Sequence, residues 1–280
     1  MALRRKRNRF LGSAAAHTAL MLTGALFMLP FVWLVLTSLK PATQIFEFPP
    51  RWIPRPFCWG NYAEVFRTIP LWQYTRNTLF VALSGTAGTL LSCSLAAYGF
   101  AMVRWHMRTF FFLLMLSTMM LPPQVTMIPV FMIFKSLGWV GTFRPLVIPS
   151  FFASAFFVFL LRQFFLSIPA ALVDAAKIDG CSHLGVYWRI ALPLSKPALA
   201  VVAFFSFTAY WNDFMSPLIY LNDDLKYTLS LGLQQFIGQH SAKWDLLMAA
   251  STLMTAPIVL LFFVLQRTFV EGITLTGIKG

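Results

Sequence analysis

Read from one charged residue to the next, the chain divides into six long uncharged stretches: Phe10 to Leu39, Asn77 to Val103, Thr109 to Phe134, Pro145 to Leu161, Pro197 to Asn212 and Leu246 to Gln266. They contain 30, 27, 26, 17, 16 and 21 residues respectively. A helix crossing the hydrocarbon core of a bilayer needs roughly 17 to 25 apolar residues at about 1.5 Å each. Four stretches meet that length outright and the Pro145 stretch just reaches it. The Pro197 stretch is long enough only if the span tolerates Asp213 and continues through Phe214 to Leu221. Apolar residues run continuously instead of alternating, so the backbone must satisfy itself in helices and not in a barrel. The expectation is an all-α polytopic protein with six transmembrane helices, residues 1–280 forming one integral membrane domain. The first stretch resembles a secretory signal in its basic start, Arg4, Arg5, Lys6, Arg7 and Arg9. Its apolar run is too long, and Ala14, Ala15 and Ala16 precede that run instead of following it, so an uncleaved anchor is expected.

Composition narrows the class further. Of 280 residues, 58% are hydrophobic and only 11% charged, which is too little polar surface to coat a soluble globule and the reverse of what disorder requires. The mean hydropathy of +0.71 agrees. The formal net charge of +13 gains meaning from its placement. With a cytoplasmic amino terminus, 13 of the 22 Lys and Arg fall inside and nine outside, while three acids (Asp174, Asp179, Glu271) fall inside and six outside. That distribution satisfies the positive-inside rule and expects both termini in the cytoplasm. The basic excess then reports orientation, and nucleic acid is not expected as a partner. Cys58, Cys93 and Cys181 fall outside, within and inside the membrane, so no disulfide framework is expected, and the four dispersed His make no metal-ligand spacing.

The segment Ser167 to Pro197 departs from both span and simple loop. Pro169 suits a helix start, Ala170 to Ile178 is a strong helix-forming run and Gly180 supplies a left-handed stop. Ser182 can cap a second helix running toward Ile190, which Pro193 would end. The residues Asp174, Ala175, Ala176, Asp179, Gly180, Ile190, Leu192 and Pro193 form a pattern, D-A-A, three residues, G, and later I-x-L-P, that resembles the EAA loop of ABC importer permeases. The resemblance implies that residues 167–197 are a cytoplasmic coupling loop whose first helix seats on a separate ATPase. The usual Glu of that loop is Asp174 here, which keeps the charge and shortens its reach.

Other segments extend the resemblance over roughly residues 10–280. They are Asn77–Thr78 through Ala97–Tyr98, the run from Leu121 through Thr142, and Trp211, Asn212, Pro217 and Leu218. The Thr228 segment and the VEGITLTGIKG tail are most similar to the smaller permease of maltose-type importers. This implies an ABC type I importer permease fold with its core over residues 72–266. It also implies contact of the tail, Gly277 and Lys279, with the ATPases, and of Gln234, Gln235 and Gly238, beside Gly232 and Leu233, with a binding protein.

Several features read two ways from the sequence. Ser84, Gly88, Ser92 and Ala96 recur every four residues, a small-residue face better suited to helix packing than to a substrate groove, although Thr86 or Thr89 can offer polar contacts. Pro122, Pro123 and Pro129 require a kink or an exit near Leu121, as a helix end at the interface or as a gate. Asp213, beside Trp211 and Asn212, is the acid nearest a span, marking either the outer interface or the pathway.

The expected function is that of a permease forming half of a translocation pathway for a sugar or related polyol across a bacterial-type cytoplasmic membrane. No G-x-x-x-x-G-K-[ST] sequence is present, so ATP and Mg²⁺ are expected on a partner ATPase dimer and no cofactor on this chain. The further partners implied are a second homologous permease, an extracytoplasmic binding protein and membrane lipid. A membrane-embedded lipid-modifying enzyme would show clustered acids, His or a nucleophile and base at one interface, and a secondary transporter ionisable groups at mid-membrane. Neither pattern is evident.

Overall fold

The structure is a computed structural model that describes residues 2–238 and 242–276, with side chains for residues 13, 15–238 and 242–267. The elements in order are α1 (Ala2–Ser38), α2 (Gly60–Thr68), α3 (Leu71–Ala101), α4 (Arg108–Ser117), α5 (Pro123–Ser136), α6 (Arg144–Val147), α7 (Ala155–Leu166), α8 (Ala170–Ile178), α9 (His183–Val186), α10 (Leu192–Leu194), α11 (Lys196–Asn212), α12 (Met215–Tyr220), α13 (Leu229–Leu233) and α14 (Trp244–Thr276). Among the described residues there is no strand beyond one isolated bridge, Ile237 to Ala242. Among the described residues four helical stretches are long and apolar enough to span a membrane: Ala15–Ser38, Leu71–Ala101, Arg144–Leu166 and Trp244–Arg267. Two bent pairs bring the number to six if each is one span.

The first bent pair is the interruption expected near Leu121, and the second corrects the span expected to start at Pro197. The stretch from Thr109 to Phe134 is not one helix. It breaks by 100° between Met120 and Pro123, because Pro122 takes an extended ψ of 136° and Pro123 begins a new helix. The Pro197 span does not continue past Asp213 either. Asp213 is extended, α12 is a separate short helix, and the span instead adjoins His183–Leu194 across a 79° bend at Ser195. The second hairpin helix likewise runs past Pro193 to Leu194, with a π-helical turn at Tyr187–Ala191.

Residues 1–69 and 233–255 form one compact unit. The exposed apolar side chains of α1 lead to an ordered end, where the Ser38 hydroxyl donates to the Val35 carbonyl at 2.7 Å and pairs with the Tyr62 hydroxyl. Asn61 Nδ2 donates to the carbonyls of Ser38 and Lys40, both at 2.9 Å, so one side chain on α2 closes the turn after α1. Lys40 is buried with its ammonium 4.0 Å from the Trp33 ring centre, and Trp33 meets Trp52 edge-on. Desolvation lowers the Lys40 pKa, and the ring face supplies part of the lost solvation.

Residues 70–232 and 256–280 form the second unit, and α3 is its axis, packed against α7, α11 and the 3₁₀ turn Ile148–Phe152. The small-residue face is a packing surface. Gly85 lies under the Tyr210 ring, a Cβ there falling 2.8 Å from it, and Gly88 faces Ser150 and Phe151. Where the chain breaks between the 3₁₀ turn and α7, Ala153 takes a φ of +60°, and the freed amides of Ala153 and Ser154 donate to Ser92 Oγ and Cys93 Sγ at 3.3 and 3.2 Å. Ser92 in turn donates to the Ser150 carbonyl at 2.8 Å. Irregular backbone at membrane depth is tolerated where neighbouring side chains satisfy it, and here α3 does so. At the other end of the helix, Asn77 donates to the Leu225 and Tyr227 carbonyls and Thr78 accepts from the Leu229 amide, which pins the 221–229 segment to α3.

Gly88→Ala is expected to destabilise the protein by about 1–3 kcal/mol, because the added methyl meets Ser150 and Phe151 in a filled interface. Gly99→Ala, with open space around its Cβ position, should leave the melting temperature unchanged or raise it. Thermal denaturation of the two variants in detergent checks the contrast, and equal melting temperatures would remove Gly88 as the seat of the interface.

Candidate coupling hairpin and polar cleft

The hairpin forms as its sequence dictates. Pro169 occupies the N-cap position of α8, and the helix closes with the Cys181 amide donating to the Ala176 carbonyl at 2.9 Å and the Gly180 amide to the Lys177 carbonyl at 3.0 Å. This is a Schellman closure, and it needs the left-handed residue that Gly180 provides at φ +79°. Ser182 then caps α9 by accepting from the Gly185 amide at 3.2 Å. Asp174, Ala175, Asp179 and Gly180 are exposed, Ala176 is half-buried, and Pro193 is exposed in α10. Neither Asp174 nor Asp179 has an ion-pair partner among the described residues.

The two faces of the hairpin differ in kind. Leu172, Ile178, Leu184 and Trp188 are exposed, Ile178 at 87%, while Val173, Val186, Tyr187 and Ala191 are buried in a cluster with Cys93, Ala97, Val158, Leu161, Phe165 and Val202. Two polar links cross that cluster. The Tyr187 and Ser94 hydroxyls lie 2.7 Å apart, and the Tyr98 hydroxyl donates to the His183 carbonyl at 2.9 Å. The hairpin is therefore fastened to α3, and through its core to α7 and α11, while Leu172, Ile178, Leu184 and Trp188 stay exposed among Asp174, Lys177, Asp179 and Arg189. Sequence reasoning missed Ser94, Tyr98 and Tyr187. Ser94 and Tyr98 sit four apart on α3 beside the small-residue face, a signal readable only once their partner is known.

A cleft of about 350 Å³, lined by polar groups together with apolar ones such as Pro145, Leu146 and Phe157, lies further along α11. Thr89, Ser150, Ser154, Ser206, Tyr210 and Asp213 are among its lining residues. Asp213 reaches it while accepting from the Ser216 amide at 3.1 Å, and Thr89 pairs with the Tyr210 hydroxyl at 3.2 Å. Of the three neighbours singled out in the sequence, only Asp213 lines the cleft. Trp211 is buried and stacked on Phe207 at 5.5 Å, and Asn212 donates to the Thr208 carbonyl of its own helix. Thr89 lines the cleft and Thr86 does not; the Thr86 hydroxyl is buried without a hydrogen-bond partner among the described residues.

In the first unit, Gln234, Gln235 and Gly238 are exposed around a turn anchored by buried Phe236, whose carbonyl accepts from the Lys243 amide at 2.9 Å. Gly232, in the second unit, is buried against the Tyr74 ring and so has a packing role. Gly277 and Lys279 lie outside the described residues. Among the described residues no three His, Cys, Asp or Glu side chains gather as a metal site.

Comparison with known proteins places this geometry. The family described as "Binding-protein-dependent transport system inner membrane component" matches residues 88–274. An arabinooligosaccharides transport system permease protein, AraQ, of Halalkalibacterium halodurans is 34% identical over 254 residues, covering 90% of this chain and 91% of its own. A lactose transport system permease protein, LacG, of Rhizobium radiobacter is 32% identical over 264 residues, covering 94% of this chain and 96% of its own. In fold, the chain resembles one from a bacterial ABC transporter involved in import of the acidic polysaccharide alginate. The TM-score is 0.80 at 23% identity, over 93% of this chain and 97% of that one.

Gly180→Val should open the α8 closure, since a β-branched residue strains the left-handed conformation by more than the roughly 1–2 kcal/mol typical of L-residues there. Trypsin cleavage after Lys177 in the folded protein is expected to rise several-fold. Gly180→Asn, which tolerates that conformation, should stay close to wild type, and equal cleavage of all three forms would refute the closure.

Proposed function

The chain belongs to the family of binding-protein-dependent transport system inner membrane components, and we propose that its α8–α10 hairpin is the point at which an ATPase drives it. It is a multi-pass permease subunit of an ATP-binding-cassette importer for a sugar or related carbohydrate. The observation that carries the coupling proposal is the two-faced hairpin. An outer face with Leu172, Ile178, Leu184 and Trp188 exposed among charged residues is open to a partner, while the inner face is built into the core around α3, α7 and α11.

The geometry supports a mechanical route. Residues 183–194 run into α11 through the bend at Ser195, and α11 carries Ser206 and Tyr210 to the polar cleft, with Asp213 just beyond its end. At about 1.5 Å per residue, α11 first reaches the cleft at Ser206, roughly 15 Å from its start at Lys196. Displacing the hairpin displaces one wall of the cleft, and the hydroxyl and carboxylate lining suits passage of sugar hydroxyls. Moving a two-state transporter from 1:99 to 99:1 requires about 5.5 kcal/mol of differential binding, which in this reading enters through the hairpin's contacts.

In the same reading, ATP and Mg²⁺ act on a separate ATPase dimer and this chain binds no cofactor of its own. A second homologous permease completes the pathway. An extracytoplasmic binding protein delivers sugar near Gln234, Gln235 and Gly238, and the Gly277–Lys279 tail approaches the ATPases. Both termini lie in the cytoplasm, supported by the excess of Lys and Arg on that side.

Two measurements test the proposal. Cys181 should react with a thiol reagent from the cytoplasmic side only, and labelling by an impermeant reagent in intact cells would reverse the orientation. Asp174→Ala, Ala175→Leu and Ala176→Leu should weaken ATPase association or uncouple hydrolysis from uptake. For Asp174, losing one member of an interfacial charge pair costs about 2–5 kcal/mol when buried and little at a rim. The rank order of transported sugars should not change. Reordered sugar preference with intact stimulated ATP hydrolysis would make the hairpin part of the pathway instead.

A further inference from the structure

A second cleft, of about 400 Å³, lies where α3 gives way to α4, with α8 as its other wall. Arg104, Arg108 and Lys177 line it together with Asp174 and Val173. Three cations thus face one carboxylate, and no ion pair within 4.0 Å joins them among the described residues. Arg108 is held in place, its Nη1 donating to the carbonyls of Ala101 and Val103 at 3.3 and 3.2 Å. Arg162 stands nearby, donating to the Phe100 carbonyl and lying 4.2 Å from the Phe112 ring centre. The site therefore carries surplus positive charge that no ion pair among the described residues neutralises.

Its surroundings are those of a membrane interface. A depression of about 290 Å³ shares Arg104 and Arg108 with this cleft and is lined also by Trp105, Met107 and Phe110. Trp105, Phe110 and Phe111 are exposed, and the Trp105 indole donates to the Gly99 carbonyl. Exposed aromatic side chains beside fixed guanidinium groups, at the end of spanning helices, match the amphipathic chemistry of the headgroup region. A cleft of this size falls in the usual small-molecule range of about 300–1,000 Å³.

We propose that this cleft holds the phosphodiester headgroup of an anionic phospholipid, whose acyl chains lie over Phe110 and Phe111. The phosphate takes its hydrogen bonds from Arg104, Arg108 and Lys177. Asp174 lines the same cleft without an ion pair among the described residues, so a bound headgroup sits beside the carboxylate and does not compete for it. The site goes beyond the transport reading and does not depend on which membrane face carries the hairpin.

The test uses the intact importer, purified with its partner subunits, and phosphatidylglycerol as the probe. Retained lipid is counted by native mass spectrometry, against phosphatidylcholine and in the presence of millimolar inorganic phosphate. Wild-type protein should retain phosphatidylglycerol in preference to phosphatidylcholine and keep it against free phosphate. Arg104→Gln with Lys177→Gln should weaken retention by about 25-fold, at roughly fivefold per charge removed. Arg104→Lys with Lys177→Arg, which keeps the charge, should retain the lipid. So should Arg189→Gln with Lys196→Gln, which removes as much charge outside the cleft. Undiminished retention in the first variant, or equal retention of the two lipids, overturns the proposal. Displacement by inorganic phosphate makes the cleft a free-anion site, and loss of the ATPase from the first variant makes it a protein interface. Either result also overturns the proposal, while a failure of the coupling proposal alone leaves lipid retention untouched.

Discussion

Backbone amides that leave a regular helix inside a membrane must find acceptors within the protein, and the second unit is organised around meeting that requirement at Ala153 and Ser154. Their acceptors are Ser92 Oγ and Cys93 Sγ on α3. Those atoms are within reach only because Gly88, one turn earlier, lets the 148–152 turn press onto the helix. The close approach, the left-handed Ala153 and the two side-chain acceptors stand or fall together. The polar cleft depends on them, since Ser150, Ala153 and Ser154 form one of its walls.

The same helix fastens the hairpin. Cys93 and Ala97 share a core with Val186, Tyr187 and Ala191, and the hydroxyls of Ser94 and Tyr98 meet the hairpin at its π-helical turn and at the start of α9. A packed apolar core transmits displacement because it is nearly incompressible, and two hydrogen bonds fix its register. One helix thus joins the hairpin to the cleft with close-packed contacts, and α11 joins them by chain continuity. The basic cleft lies at the edge of this frame, with Ala101 and Val173 of the same core among its lining residues.

The order and apolar character of the helices were legible in the sequence because hydrocarbon imposes a one-dimensional rule, a minimum run of uncharged residues, that any spanning segment must obey. The α8 turn was equally legible. Gly180, Pro169 and Ser182 act through their own backbone and nearest neighbours, so the helix, its left-handed stop and the following cap appear where local chemistry puts them. The D-A-A pattern also named the family, through residues the structure finds mostly exposed and free of internal duties.

Tertiary structure decided what depends on a partner distant in sequence. Pro122 and Pro123 required an interruption near Leu121, but the 100° between the two arms is read only from the structure. Asp213, Asn212 and Trp211 are adjacent in sequence, yet the turn after α11 sends one to the cleft, one to its own backbone and one into the core. Arg104, Arg108 and Lys177 are unremarkable as separate loop charges and become a site only when α8 folds against the end of α3. Sequence determines what each residue can do within a helical turn or a hydrocarbon layer, because those constraints act locally. Which side chains share a space is fixed by long-range packing, and the sequence states it only through the fold.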